Sequence, residues 1–292
     1  MESFQELKVS ANGVDFTCLE AGEGPLVLCL HGFPDHARTF RHQMRALADA
    51  GYRAVAPFMR GYAPTRAPAN ASFQTAALAR DVAELIDALG GAPAFLVGHD
   101  WGAMAGYGAA VLFPEKVSRL VAMAVPYGPQ LPLSLMTQYD QQRRSWYMFF
   151  FQLPIAEAAL GYNNFEMVER LWRDWSPGWE LPEEEMAALK ATLSQPDTTS
   201  AAIGYYRALF NPEFQSPELA GDQQRLGADA VRVPTLYLQG AQDGCIGADL
   251  GDGMGRLFPA GLRQDLLPGC GHFLHQENPE EVNRLVLEFL KA

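Results

Sequence analysis

The chain has 292 residues, of which 48% are hydrophobic and 19% charged, and its formal net charge at pH 7 is −12. This length and composition are ordinary for a globular enzyme and allow a sizeable core, in one large α/β domain or in a domain that carries an insertion. The negative charge disfavours nucleic acid and anionic membranes as partners, because binding to polyphosphates needs a basic surface.

Targeting and redox signals favour the cytoplasm. Residues 1–10, MESFQELKVS, carry charges where a signal peptide needs an apolar run. No stretch approaches the roughly 20 apolar residues of a membrane span. The cysteines have no CxxC spacing, so we interpret them as reduced, buried thiols rather than disulfides or metal ligands: Cys18, Cys29, Cys245 and Cys270. We expect a cytoplasmic protein, and the sequence leaves a homodimer open.

Strand-like and helical patterns alternate through the first part of the chain. The predicted strands are Leu26–Leu30, Tyr52–Pro57, Ala94–Val97 and Ser118–Val125. Helical spacing covers Phe40–Ala50, Ala76–Leu89 (closed by Gly90-Gly91) and the residues after Asp100. Such alternation implies right-handed crossovers and a mostly parallel central sheet flanked by helices.

The alternation stops after Pro126. Residues 129–225 are aromatic, charged and helical in pattern, are broken by prolines, and lack buried strand runs. Strands follow at 233–238 and 262–267, and a final helix at 279–291. We therefore predict an α/β core of residues 1–128 and 226–292, with a helical cap, residues 129–225, inserted into it.

The stretch FLVGHDWGAM, residues 95–104, predicts a buried strand, a sharp turn and a helix. Gly98 and Gly102 flank Asp100, and a turn this tight needs small flanking residues because the backbones approach closely. The apex residue often has a positive φ, which aspartate tolerates better than most residues. No serine has such flanks, so Asp100 is the candidate nucleophile. The alternative is that its carboxylate caps the following helix.

The loop after the predicted strand 26–30 reads His31-Gly32-Phe33-Pro34. A turn of this kind can point backbone N–H groups at a developing oxyanion. The alternative is an ordinary turn at the end of a strand.

A second loop, GCGHFLHQENPEEV at residues 269–282, places His272 between glycines, just before the final helix. This is the expected place for the histidine of a catalytic triad. His275 is the rival; it lies nearer the final helix and we expect it to be supporting.

A further carboxylate should orient His272 and stabilise its protonated form. Asp243 follows the predicted strand 233–238 in the loop GAQDGCIG. The loop after the preceding strand is the other place for this acid, but residues 119–138 contain no carboxylate. Asp243 is therefore the candidate, with Asp249 second.

Together these motifs resemble those of α/β-hydrolase-fold enzymes, and the likeness covers nearly the whole chain. HGFP, GHDWG and GHFLHQENP are most similar to the epoxide hydrolase family. RGYAPT, residues 60–65, resembles an RGYGxS-type segment of that family, with Ala63 in place of the usual glycine. DHARTF, after HGFP, lacks the tryptophan often found there. Both departures concern the substrate pocket.

The resemblance implies two cap tyrosines that hold the epoxide oxygen. SWYMFFFQLPIAEAAL matches the family's tyrosine-bearing segment at Tyr147, and GYYRALFNP matches its aromatic-Tyr-Arg segment at Tyr206. Tyr205 replaces Tyr206 if the register is shifted by one residue. Aromatic packing within the cap is the alternative explanation of these rings.

The implied reaction converts an epoxide and water into a vicinal diol. Asp100, with an ordinary pKa of about 3.9, is an anion that attacks an sp³ carbon and forms an alkyl ester. Tyr147 and Tyr206 donate to the leaving oxygen, since a pKa of about 10 keeps them protonated. His272, oriented by Asp243, then activates water.

The backbone N–H groups of Phe33 and Trp101 are expected to stabilise the tetrahedral oxyanion. His31, Gly32 and Pro34 support the loop that carries the first of these donors. No metal motif such as HExxH and no glycine-rich phosphate loop is present, so no cofactor is implied.

Three alternatives stay open. A haloalkane dehalogenase uses the same type of nucleophile, and Trp101 is a candidate halide donor, but Phe33 stands where that family often has an asparagine. A haloacetate dehalogenase needs arginines beside the elbow, and DWGAMAG has none. The third is a ligand-binding receptor on a hydrolase scaffold, which a tight ligand without turnover would support.

Overall fold

The computed structural model describes residues 4–90 and 93–292. Its centre is a sheet of eight strands in the order β1-β2-β4-β3-β5-β6-β7-β8. The strands are β1 (Gln5–Ala11), β2 (Val14–Ala21), β3 (Leu26–Leu30), β4 (Arg53–Pro57), β5 (Ala94–His99), β6 (Val117–Met123), β7 (Thr235–Gly240) and β8 (Leu262–Leu267). Strands β1, β2 and β4 pair antiparallel, and all other neighbours pair parallel.

Helices cover the sheet, which confirms the predicted mostly parallel sheet flanked by helices. They are α1 (Arg41–Asp49), α2 (Thr75–Ala88), α3 (Trp101–Leu112), α4 (Gln130–Thr137), α5 (Tyr139–Arg144), α6 (Trp146–Phe150), α7 (Ala156–Trp175), α8 (Glu183–Leu193), α9 (Thr198–Phe210), α10 (Ala220–Arg225), α11 (Leu274–Glu277) and α12 (Pro279–Lys291). All residues of β3 and β7 are buried, as expected for strands covered on both faces.

Most predicted elements appear within two residues of their expected bounds, and β3, β8 and α12 coincide with them. The hairpin of β1 and β2 was not predicted. Its signal is the dipeptide Asn12-Gly13, a favoured two-residue hairpin turn, between the paired residues Ala11 and Val14. Of the pair predicted to close α2, Gly90 has a positive φ of 75°, and Gly91 lies outside the described residues.

The helices α4 to α10 form one stretch of chain between β6 and β7, here called the helical segment (residues 130–225). No strand occurs in residues 124–234, all of which the structure describes. The helical pattern is therefore present where it was expected. That this segment is a cap separate from the core stays a prediction.

The order of the central strands creates a crevice at the carboxyl ends of β3 and β5. Strand β3 pairs with β4 on one side and with β5 on the other. Open sheets of this kind bind their ligands where the strand order reverses. The loops after β3 and β5 carry the two motifs HGFP and GHDWG, so the fold brings both to this crevice.

Within the described ranges, no helix is long and apolar enough to cross a membrane.

We predict that Gly102→Ala destabilises the protein. A Cβ atom at this position would stand 1.9 Å from the carbonyl oxygen of Leu30, which belongs to the backbone of β3 and cannot move aside. We expect a loss of about 3 kcal/mol or more in the free energy of unfolding, measured by urea denaturation. Gly161→Ala is the control: its Cβ meets no atom of the described chain within 4 Å. Equal stability of the two variants would contradict the close approach.

Candidate active site

Asp100 stands at the apex of the turn between β5 and α3. Its backbone has φ 54° and ψ −119°, a conformation that few residues other than glycine adopt. The structure excludes the helix-cap alternative, because the carboxylate accepts no capping hydrogen bond from the described first turn of α3. The turn instead presents the side chain, 8% exposed, to the crevice.

The loop after β3 binds this carboxylate directly. The backbone N–H of Phe33 donates to Asp100 Oδ1 at 2.7 Å. Gly32 is required here, since a Cβ atom on it would stand 2.1 Å from the same oxygen. Trp101, the other predicted donor, is the first residue of α3, where N–H groups have no partner within the helix.

His31 and the cis peptide Phe33–Pro34 shape the same loop. His31 Nδ1 donates to the carbonyl of Gly32 at 3.0 Å, and its Nε2 accepts from the N–H of Met59 at 2.9 Å. Burial lowers the pKa of His31 to about 4. A neutral imidazole is what these two bonds require, so His31 supports the loop rather than carrying charge.

His272 lies between the two predicted carboxylates. Its Nδ1 is 2.9 Å from Asp243 Oδ2, and its Nε2 is 3.7 Å from Asp100 Oδ2. The second distance is longer than a hydrogen bond and leaves this pair as a charge contact. The backbone N–H of His272 donates to the carbonyl of Trp175 at 2.9 Å, which fixes the histidine from the helical segment.

Asp243 is buried, and both of its carboxylate oxygens accept hydrogen bonds. Its Oδ1 accepts from the N–H groups of Cys245 and Ile246 at 2.7 and 2.9 Å. Its Oδ2 accepts from Gln239 Nε2 at 2.9 Å in addition to the contact with His272. These donors hold the carboxylate in the position that orients the imidazole. Asp249, the second choice from the sequence, is exposed.

The charges of this group are coupled. Burial alone would lower the pKa of His272, but the carboxylates of Asp243 and Asp100 outweigh it and raise the pKa to about 10. Burial likewise would raise the pKa of Asp100, and the imidazolium beside it reverses the effect, so that the pKa lies below its ordinary value. The resting site therefore holds a protonated His272 between two carboxylates.

The two predicted tyrosines meet above Phe33. The rings of Tyr147 and Tyr206 are 5.4 Å apart, and they lie 6.4 and 5.4 Å from the Phe33 ring. Burial, then the charge of Asp100, raises the pKa of Tyr206 well above 10. Tyr205, the alternative in register, donates its hydroxyl to the carbonyl of Arg60 at 2.8 Å and is engaged elsewhere.

The two hydroxyls differ in their surroundings. Tyr206 Oη is buried and has no hydrogen-bond partner among the described residues. Tyr147 Oη lies 3.4 Å from Cys245 Sγ. Burial raises the pKa of Tyr147 well above 10, and the charge of Asp100 adds to this rise as it does for Tyr206.

A cavity of about 50 Å³ lies beside Asp100. Its lining is apolar apart from one carboxylate, one indole and one phenol: Asp100, Trp101, Met104, Val125, Leu131, Met148, Tyr206, Leu209 and Ile246. A groove of about 920 Å³ lies at the other edge of the sheet, near the amino ends of β3 and β4, and the candidate residues above do not line it. Asp100, Trp101 and Tyr206 therefore lie at the smaller cavity.

The sequence did not single out Trp175. Its carbonyl accepts from both Gly244 and His272, at 3.1 and 2.9 Å, and its ring lies 4.8 Å from that of Tyr147. It therefore joins the loop of Asp243 and the loop of His272 to the helical segment.

His275, the rival histidine from the sequence, is engaged elsewhere. Its Nε2 lies 2.6 Å from Thr39 Oγ1, and it is not part of the contacts among Asp100, His272 and Asp243.

Comparison with known proteins identifies the family of the chain. A sequence model of the family described as alpha/beta hydrolase fold matches residues 25–279. Epoxide hydrolase A of Mycobacterium tuberculosis is 32% identical over 98% of this chain and 97% of its own length. Epoxide hydrolase 3 of Xenopus tropicalis is 32% identical over 98% of this chain and 77% of its own length. The chain belongs to the epoxide hydrolase family of α/β hydrolases.

The fold of the family is present throughout the chain. The crystal structure of epoxide hydrolase A from Mycobacterium thermoresistibile superimposes with a TM-score of 0.84 at 29% identity, over 99% of each chain. As a member of this family, the protein is a hydrolase. The resemblance read from HGFP, GHDWG and GHFLHQENP is thereby confirmed at the level of the family.

We predict that the charge on His272 makes stability fall with pH above neutrality. A pKa raised to about 10 in the folded state, against about 6.5 in the unfolded chain, gives a stabilisation that is full below pH 6.5 and is lost as the pH rises to about 10. Between pH 7 and 9, the wild type should lose up to about 1.4 kcal/mol per pH unit relative to His272→Gln.

The measurement is urea denaturation of both proteins across this range, with His42→Gln as the control. The pKa of His42 is lowered by burial and not raised, so this control should keep the wild-type slope. Equal slopes in the wild type and His272→Gln would show that His272 is not charged in the folded protein.

Proposed function

We propose that this protein hydrolyses an epoxide to a vicinal diol through an ester on Asp100, beneath a cap formed by the helical segment. The observation that carries the proposal is the position of the Asp100 carboxylate. It is bound by the Phe33 N–H on one side, lies 3.7 Å from His272 on the other, and faces a cavity that Tyr206 lines. Relatives named epoxide hydrolase support the same reaction.

Ring opening is the first step. The pKa of Asp100 lies below its ordinary value, so the carboxylate is charged and attacks carbon without a base. The C–O bond of the strained ring breaks, and its oxygen takes a proton from the tyrosine pair. Phenols suit this role because their raised pKa values keep them protonated at neutral pH.

Ester hydrolysis is the second step. Once Asp100 is esterified, it has lost its charge, and His272 keeps only Asp243 as a carboxylate partner. The pKa of His272 must then fall, because one of the charges that raised it is gone. The imidazole is then able to accept a proton from the water that attacks the ester carbonyl.

The proton count closes over the two steps. Ring opening consumes one proton, which matches the proton that His272 loses when its pKa falls. Hydrolysis then regenerates the carboxylate of Asp100, releases the diol and returns one proton to His272. The Phe33 N–H already bonds to Oδ1 of Asp100 and remains in place for the oxyanion, with the first N–H groups of α3 as further donors.

The alternatives are less well supported by the same residues. A haloalkane dehalogenase needs hydrogen-bond donors for a departing halide, and the Trp101 indole in the cavity is one. The phenol of Tyr206 also lines the cavity, and a phenol is the donor that an epoxide oxygen needs. A haloacetate dehalogenase needs a cation, and none of the nine residues that line the cavity is Arg or Lys. A receptor that only binds a ligand does not need the contacts that link Asp100, His272 and Asp243.

The residues that line the cavity also indicate the polarity and size of the substrate. Apolar residues favour an epoxide with an apolar substituent, and a cavity of about 50 Å³ holds little more than a water molecule or two. Binding therefore requires side chains such as Met148 and Leu209 to move outward.

We predict that His272→Gln traps the covalent intermediate. Asp100 still opens the ring, but no base activates water, so the ester accumulates. The intact protein should gain the full mass of the epoxide, located by peptide mass spectrometry on the peptide that contains Asp100. Styrene oxide is a suitable probe because it is apolar and releases a diol that is easily assayed.

Asp100→Ala is the control and should show neither adduct nor diol. A haloalkane probe reports on the alternative, because its adduct would carry the mass of the probe less the hydrogen halide. An unmodified Asp100 peptide in a His272→Gln protein that consumes epoxide would contradict covalent catalysis.

A further inference from the structure

Cys245 is a buried thiol that the two steps above do not use. Its Sγ lies 3.4 Å from Tyr147 Oη, and both side chains are fully buried. Its backbone N–H donates to Asp243 Oδ1 at 2.7 Å. One residue thus contacts both the acid that orients the histidine and one of the two phenols.

We propose that Cys245 is a positioning residue for ring opening, whose S–H donates to the Tyr147 oxygen while the Tyr147 O–H donates to the epoxide oxygen. This inference rests on the proposed function. It makes the two tyrosines unequal. Tyr206, which lines the cavity, contributes a hydrogen bond, and Tyr147, which reaches the epoxide once the cavity has widened around it, transfers the proton.

The number of protons on the phenol requires a second donor. A phenol has one proton, and when that proton points at the epoxide, the lone pairs of the phenol oxygen need a donor. The Cys245 thiol is 3.4 Å away and supplies one. Burial and the charges of Asp243 and Asp100 raise its pKa well above 9, so the thiol keeps its proton. Within the described chain, Tyr206 Oη accepts no hydrogen bond of good geometry, and the nearby Trp101 side chain acts to lower its pKa against the larger effect of burial.

Charge develops on the phenol oxygen as its proton leaves. A hydrogen bond donated to that oxygen strengthens as the charge grows, and therefore lowers the barrier more than it stabilises the resting state. The proton that Tyr147 gives to the opened ring is replaced from the one that His272 releases, so the thiol itself neither loses nor gains a proton over the cycle.

The surrounding bonds fix the thiol in place. Gln141 Nε2 donates to the Cys245 carbonyl at 2.8 Å, and Gln141 Oε1 accepts from the N–H of Gly247 at 3.0 Å. Arg144 Nη1 donates to the Asp243 carbonyl at 2.8 Å. Both donors belong to α5, which directly precedes the helix of Tyr147. The loop of Asp243 and Cys245 is therefore tied to the segment that carries the phenol.

The test separates hydrogen bonding from packing. Cys245→Val removes the S–H and replaces it with a somewhat larger hydrocarbon side chain, whereas Cys245→Ser keeps a donor. The rates of ring opening and of ester hydrolysis are measured separately in single-turnover experiments with styrene oxide. We expect Cys245→Val to slow ring opening about fivefold to tenfold, the factor of one neutral hydrogen bond. Ester hydrolysis should keep its rate, and Cys245→Ser should open the ring faster than Cys245→Val.

A double-mutant cycle locates the effect. The loss caused by Cys245→Val should vanish in a Tyr147→Phe background and persist in a Tyr206→Phe background. Cys18→Val, a buried cysteine in β2, is the matched control and should open the ring at the wild-type rate.

A spectroscopic measurement reports on the same bond without turnover. The S–H stretching band of Cys245, isolated as the difference between the wild type and Cys245→Val, should shift to higher frequency in Tyr147→Phe. Wild-type ring opening in Cys245→Val, or an equal loss in both phenylalanine backgrounds, would overturn the proposal while leaving the proposed function intact. A wild-type protein that opens no epoxide would overturn both.

Discussion

The burial of a charged carboxylate at the switch point of the sheet is the constraint on which the rest of the structure depends. An isolated buried carboxylate costs several kcal/mol unless donors and opposite charge surround it. The Phe33 N–H and the imidazolium of His272 provide both for Asp100, and Asp243 in turn holds the imidazolium. Loops after β3, β5, β7 and β8 must therefore meet at one point, and a glycine at position 32 is what allows the closest of these approaches.

The helical segment is hydrogen-bonded to three of these loops. The carbonyl at the end of α7 accepts from the backbones of both Gly244 and His272, and the indole of Trp172 donates to the carbonyl of Pro34 at 2.9 Å. These bonds connect the segment to the loop of Asp243, the loop of His272 and the loop after β3 whose Phe33 N–H binds Asp100. A movement of the segment that admits substrate would therefore also change the positions of the reacting groups, which makes binding and chemistry interdependent.

The sequence predicted the parts of this arrangement that follow local rules. A tight turn needs small residues around Asp100, and the carboxyl ends of parallel strands share one edge, so the order of the loops placed Asp243 and His272 together. The fold and the family are confirmed, whereas the catalytic roles stay proposals. The role of Trp175 and the contact of Cys245 with Tyr147 were not predicted, because they depend on packing between segments about a hundred residues apart.

The source of the oxygen in the diol tests covalent catalysis most directly. With enzyme in excess over epoxide in oxygen-18 water, a single turnover should give a diol without label, because the new oxygen comes from the carboxylate of Asp100. The label should appear in the peptide that contains Asp100, detected by mass spectrometry. A labelled diol from the first turnover, together with an unlabelled Asp100 peptide, would show that water attacks the epoxide directly and would contradict the account.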